Sequence, residues 1–159
     1  MKIIIKTLFL AIIVLVIACN ESDDFCLSNQ QSVQAGFYSA ETGNDSTVSD
    51  VSFISLPGDG IILENDTLYN SESLSNSFLP LSMASDTTKY LVKILNQKDT
   101  ITFIHSKELS FVSEECGFVF SFELDTVIYT DISFIDSVAI DYTSIKYNES
   151  TENVKIFLY

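Results

Sequence analysis

Phe118-Val119-Phe120-Ser121-Phe122-Glu123-Leu124 is the stretch that decides the fold. Phe118, Phe120, Phe122 and Leu124 fall on one side of an extended chain, and Val119, Ser121 and Glu123 on the other, because successive side chains of a strand point to opposite faces. One dry face and one wet face are the mark of an antiparallel sheet covered on one side only. Two further segments have the same period: Ile101, Phe103 and His105 alternate with Thr102 and Ile104, while Val154, Ile156 and Leu158 oppose Lys155, Phe157 and Tyr159. Past residue 18 no stretch sustains a helical period of 3.6.

Outward from this segment, apolar and β-branched runs broken by Asn, Asp, Ser, Gly and Pro predict strands over 32–38, 51–56, 60–68, 77–81, 89–95, 100–106, 108–113, 118–124, 126–134, 138–146 and 154–159. Many short strands at roughly ten-residue spacing predict an all-β domain over 26–159, an antiparallel β-sandwich of immunoglobulin-like or related type, with a small β-barrel as the alternative. A membrane barrel ending on the aromatic Tyr159 is disfavoured by the Asp, Glu and Lys scattered through the strands.

The amino terminus has a different pattern. Lys2 and Lys6 precede an apolar run from Leu8 to Ala18, eleven residues long. A helix needs about 20 residues to cross a hydrocarbon core, so the run fits the helix of a secretion signal, residues 1–18, that is removed on maturation. Val16-Ile17-Ala18-Cys19 resembles the lipobox of bacterial lipoproteins, which makes Cys19 the acylated first residue of the mature chain. An ordinary signal peptide with a chance cysteine, or an uncleaved anchor, is the competing explanation. Residues 19–25 then form the acylated cysteine and an acidic tether. Its Glu21, Asp23 and Asp24 resemble the export signal of surface lipoproteins of Bacteroidota. The expected location is the outer membrane, lipid-anchored, on the periplasmic or cell-surface face.

Loss of residues 1–18 removes Lys2 and Lys6 but no acid, so six Lys face 22 Asp plus Glu and the net charge moves from -14 to -16. Arg is absent, and with it the bidentate fork that clamps phosphate. Nucleic acid and anionic surfaces are repelled by such a body. No Gly-rich loop leads from a strand into a helix, so no nucleotide is expected as a partner, and no cofactor. Outside the reducing cytosol, Cys26 and Cys116 are expected to form a disulfide. A zinc site is a poor competitor, since zinc takes four ligands at close spacing and the chain has one His.

Six of the twelve Asp residues are followed by Ser or Thr, giving Ser46, Thr67, Thr87, Thr100, Thr126 and Ser137. Asp closing a turn on its own backbone, with a β-branched residue opening the next strand, accounts for the pattern. The triplets also resemble the acceptor motif of O-glycosylation in Bacteroidota, so these six are candidate glycosylation sites.

Cys26, the Phe37-Tyr38 strand, Asp99-Thr100-Ile101-Thr102-Phe103, the step from Cys116-Gly117-Phe118 into Phe122-Glu123-Leu124, and the closing Val154-Lys155-Ile156-Phe157 together resemble a family of small uncharacterised Bacteroidota lipoproteins. The resemblance covers most of the mature chain. It implies a lipid-anchored, two-cysteine β domain and lends no catalytic residue.

Catalytic candidates are few. Every Ser-His-Asp or Cys-His arrangement would have to pass through His105, whose place beside Phe103 on an alternating strand marks a core or sheet-face residue. Asp23 with Asp24 and Glu114 with Glu115 are adjacent pairs, which diverge on an extended chain and do not make the facing carboxylates of a glycosidase. Pro57-Gly58-Asp59-Gly60 is a turn signal, and Asp59, Glu64 and Asp66 do not form the ligand ladder of a calcium loop. No metal is expected. The expected function is a non-catalytic binding or structural accessory module of the cell envelope, holding an envelope protein or a glycan. The alternative is a carboxylate-dependent carbohydrate-active hydrolase.

Overall fold

The computed structural model describes residues 31–57, 66–114, 116–147 and 149–159. The signal sequence, Cys19, the tether and Cys26 lie outside the described residues, as does most of the strand expected over 60–68. Ten strands are described: β1 Ser32–Ser39, β2 Val48–Leu56, β3 Thr67–Leu74, β4 Asn76–Pro80, β5 Thr87–Ile94, β6 Gln97–Ser113, β7 Gly117–Tyr129, β8 Ile135–Ile140, β9 Ser144–Ile145 and β10 Val154–Leu158.

They form two sheets, one in the order β4-β1-β10-β8 and the other β3-β2-β5-β6-β7-β9. Neither sheet closes on itself, so the arrangement is a β-sandwich and the barrel alternative is set aside. One core joins the layers. Val33, Ala35, Phe37, Leu79, Ile135, Val154 and Ile156 enter it from the smaller sheet, and Val51, Phe53, Tyr90, Val92, Ile101, Phe103, Phe122 and Leu124 from the larger. The alternation in Ile101-Phe103-His105 and in Val154-Ile156 is the burial observed. Aromatic rings carry the contact between layers and along the larger sheet: Phe37 meets Phe53 at 6.2 Å between centroids, Phe53 meets Tyr90 at 6.3 Å, and Tyr90 meets Phe103 at 6.3 Å. Tilted and edge-on packing of this kind is the arrangement that ring quadrupoles favour.

Several expectations need correction. The smaller sheet is not wholly antiparallel, since β1 and β10 run parallel with Ala35 opposite Val154. The strands expected over 100–106 and 108–113 are one, β6, and the strand expected over 118–124 runs on into that expected over 126–134 as β7, which ends at Tyr129 and leaves 130–134 as the connection to β8. A register shift explains the second case: Ile104 pairs with Thr126 and His105 with Leu124, so Asp125 bulges out of the ladder without ending the strand. The segment expected over 138–146 divides between β8 and β9, which belong to different sheets. Strand β3 continues to Leu74 through Asn70, Ser71, Glu72 and Ser73, polar residues that read as a loop. It is an edge strand with most side chains in water, so burial imposes no apolar pattern on it.

The segment from Phe118 to Leu124 departs from its expected burial. Phe118, Phe120, Phe122 and Leu124 do share a face with Phe111, Leu109, Lys107 and His105 opposite them. Only its inner half is dry. Phe122 and Leu124 are each 2% exposed, whereas Phe118 is 59% exposed and Val119, expected on the wet face, is buried. Strand β5 pairs with β6 only as far as Ile104 and β9 with β7 only at Phe122 and Glu123, so from Leu109 and Phe120 outward β6 and β7 continue as a two-stranded arm.

Candidate functional site

Where β2, β4 and β5 end together, the sandwich has a cleft of about 980 Å³. Leu56, Pro57, Leu68 and Tyr90 supply its apolar lining, and Ser55, Ser85 and Thr87 its hydroxyls. Asp66 and Lys89 add one charge of each sign. Tyr90 is fixed in place, its hydroxyl donating to the Pro80 carbonyl, and burial raises its pKa well above the ordinary phenol. The loop from β4 to β5 is folded by its own hydroxyls. Ser82 Oγ accepts from the amides of Ala84 at 3.2 Å and Ser85 at 3.0 Å, and Ser85 Oγ accepts from Thr87 N at 3.1 Å. Side chains that bond backbone amides two and three residues on set such turns.

Beneath the cleft lies the one histidine. Thr88 Oγ1 accepts from Ser82 N at 2.8 Å and is 2.9 Å from His105 Nε2. The imidazole stands edge-on to Phe122 at 5.3 Å and is 1% exposed. Its Nδ1 has no hydrogen-bond partner among the described residues, so no carboxylate orients the ring. Desolvation lowers its pKa; Lys107 acts in the same sense, against Asp86 and Asp125. A sealed, neutral ring bonded to a threonine holds the β4–β5 loop to β6. That geometry gives it no reach to a bound substrate.

The remaining candidates are dispersed. Thr87 and Thr126 are exposed; Ser46, Thr67, Thr100 and Ser137 are partly covered. Thr87 and Thr126 both lie opposite Ile104, one on either side, so the three share a row on the outer face of the larger sheet. Thr100 is two residues along that face from Thr102 and follows Asp99, which is 2% exposed. Ser137 Oγ donates to Asp136 Oδ2 at 2.9 Å. Cys116 sits in the β6–β7 turn, its amide donating to Ser113 Oγ at 3.1 Å, with Tyr147 Oη 3.8 Å from its sulfur. Glu114 is exposed in the same turn, and Asp66 is the one carboxylate among the described residues that line the cleft. Among the described residues no group of three His, Cys, Asp or Glu could hold a metal ion.

Two residues with structural work were not anticipated. Asp99 Oδ2 accepts from the amides of Phe134 at 2.9 Å and Ile135 at 3.1 Å, while Oδ1 accepts from Thr130 Oγ1 at 3.2 Å. Asn153, 3% exposed, ties together β1 and the 141–144 loop. The signal for Asp99 was present, since an acid at an inward position of the alternating Asp99-Ile101-Phe103 set needs buried donors. Nothing in the sequence marks Asn153, which lies in a polar run.

No curated protein and no solved structure matches this chain. Residues 51–158, from within β2 through β10, match the sequence pattern of a family of unknown function, DUF6452, and the chain belongs to that family.

Proposed function

We propose that the protein is a lipid-anchored, non-catalytic binding or structural accessory module of the outer membrane, acylated at Cys19 after removal of residues 1–18. The anchor is supported by the basic start, the eleven-residue apolar run and the lipobox-like Val16-Ile17-Ala18-Cys19. The binding role is carried by the cleft, whose fixed apolar wall, hydroxyl rim and charged Asp66 and Lys89 suit a polar extended ligand, a segment of an envelope protein or a glycan. Titration of the isotope-labelled domain with oligosaccharides released from the envelope, and separately with a peptide digest of outer-membrane proteins, tests the role. Amide shifts clustered on Leu56, Leu68, Ser85 and Lys89 are expected. Scattered or absent shifts with both, together with an intact envelope in a deletion strain, overturn it.

Two covalent features complete the proposal. Cys26 is the partner of Cys116: Cys116 is disulfide-bonded, and of the two other cysteines Cys19 is the acylated one. Peptide mapping without reductant should recover the linked pair. Glycans, if added in the native host, belong on Thr87 and Thr126, the two candidate hydroxyls most open to an enzyme. Intact mass of the host-expressed protein should fall on Thr87→Ala and Thr126→Ala; a mass equal to the unmodified lipoprotein removes this part.

A further inference from the structure

The arm formed by β6 and β7 leaves an apolar surface uncovered. Leu109 is 54% exposed and Phe111 and Phe118 are each 59% exposed. Phe111 lies opposite Phe118 and Leu109 opposite Phe120, so the four form a continuous ladder on one face, with the rings of Phe111 and Phe118 5.4 Å apart. Two exposed phenylalanines at the end of a projecting hairpin are costly in water and mark a surface that something apolar covers.

We infer that this ladder is a second contact with the lipid surface, alongside the acyl chains of Cys19. The inference rests on the proposed lipidation and goes beyond it by assigning a face of the folded domain to the membrane. Two independent observations place that face near the anchor. The chain enters the domain on the side from which the arm leaves: Gln31 O accepts from Leu81 N at 3.4 Å, the next residue, Ser82, bonds Thr88, and Thr88 bonds His105, four residues before Leu109 on β6. The disulfide acts at the tip. Phe118 is two residues from Cys116, and Cys26 is seven residues from Cys19, a span of at most roughly 25 Å when extended.

The tip of the arm is therefore on a seven-residue lead from the acylated cysteine, and Gln31, on the side from which the arm leaves, is twelve residues from it. The lipid surface is a neutral one, because Glu114 stands in the turn beyond the ladder and the body is strongly acidic. The same charge disfavours a second copy as the occupant, since a self-complementary contact would bring two strongly acidic bodies together.

The chain has no Trp, so a single reporter is unambiguous. Acylated full-length Phe118→Trp protein is reconstituted in phosphatidylcholine vesicles with or without brominated acyl chains, beside Ile132→Trp, which reports from an 80% exposed residue of the loop between β7 and β8, remote from the arm. The expected result is a blue-shifted emission at position 118 that loses most of its intensity to the brominated lipid, with position 132 unshifted and unquenched. Phe111→Trp is measured in parallel, so that a folding defect at one site leaves the other. Flotation with the vesicles separates the two claims. Protein that floats but shows no quenching at 118 or 111 overturns the membrane contact alone, as does a concentration-dependent dimer that shields both positions. Protein that fails to float overturns the anchor and the contact together.

Discussion

Gln34 and Asn153, 119 residues apart, are joined twice: Asn153 Oδ1 accepts from Gln34 N at 3.0 Å, and Gln34 O accepts from Asn153 N at 2.8 Å. The pair sits one residue before Ala35 and Val154, where the parallel ladder of β1 and β10 begins. A parallel pair has no tight turn to set its register. Here a side chain does it, and Asn153 Nδ2 extends the clamp to the carbonyls of Tyr142 and Ser144, each at 3.1 Å. Asn153→Ala leaves a buried amide and two carbonyls to find new partners and should lower stability by about 2–3 kcal/mol, read as a shift in the urea midpoint. Asn153→Asp keeps the acceptor for Gln34 but loses both donors, so it should not restore the wild-type midpoint.

Asp99 is the second clamp. Its carboxylate satisfies the Phe134 and Ile135 amides where the chain turns from β7 into β8. Asp99→Ala strands both donors in the core and should cost about 3 kcal/mol, while Asp99→Asn retains one acceptor oxygen and should cost less. Chemical denaturation ranks the three proteins. Equal midpoints for Ala and wild type would mean that water reaches the two amides.

These clamps show where the sequence was legible. Period-two alternation located the inward positions of β6 and β10, because a sheet with one buried face writes that face into every second residue. In the arm the period of two marks a shared face without marking core, since local alternation records which side chains align and not how far the opposite sheet extends over them. Asp125 looked like a strand end because a bulge and a turn use the same residue types. Of the cleft, the hydroxyls of the β4–β5 loop were visible as a turn, but Tyr90 and Lys89 become its wall only through the pairing of distant strands. The parallel contact of β1 with β10 depends on Asn153, whose role is set by residues more than a hundred positions away.

Leu95 offers a stability gain. Ile94 pairs with Gln97, so Leu95 and Asn96 form a two-residue hairpin loop, and Leu95 has φ 53° with its side chain 72% exposed. A positive φ at the first loop position suits Gly and strains a residue with a Cβ. Leu95→Gly should therefore raise stability by about 1 kcal/mol without changing the fold, seen as a higher thermal midpoint and an unchanged far-ultraviolet spectrum. A lower midpoint would show that the exposed Leu95 side chain contributes packing that outweighs the strain.

His105 sets a pH dependence whose sign follows from its burial. In the unfolded chain its pKa is the ordinary 6.5, and in the folded state desolvation lowers it. Above 6.5 both states are neutral and the residue adds nothing to the slope. As pH falls below 6.5 the unfolded chain takes up a proton that the folded state refuses, so stability declines by up to about 1.4 kcal/mol per pH unit until the folded pKa is reached. The groups facing the ring, Thr88 and Phe122 at contact with Asp86, Asp125 and Lys107 farther out, provide no anion bonded to Nδ1 that would hold the charged form. His105→Gln keeps a hydrogen-bonding group near Thr88 and cannot titrate. Urea unfolding at pH 7.5 and 5.5 should show wild type losing more stability than His105→Gln between the two, with the acidic side chains common to both cancelling in the comparison. Parallel losses would place the folded pKa at its ordinary value and the ring in contact with water.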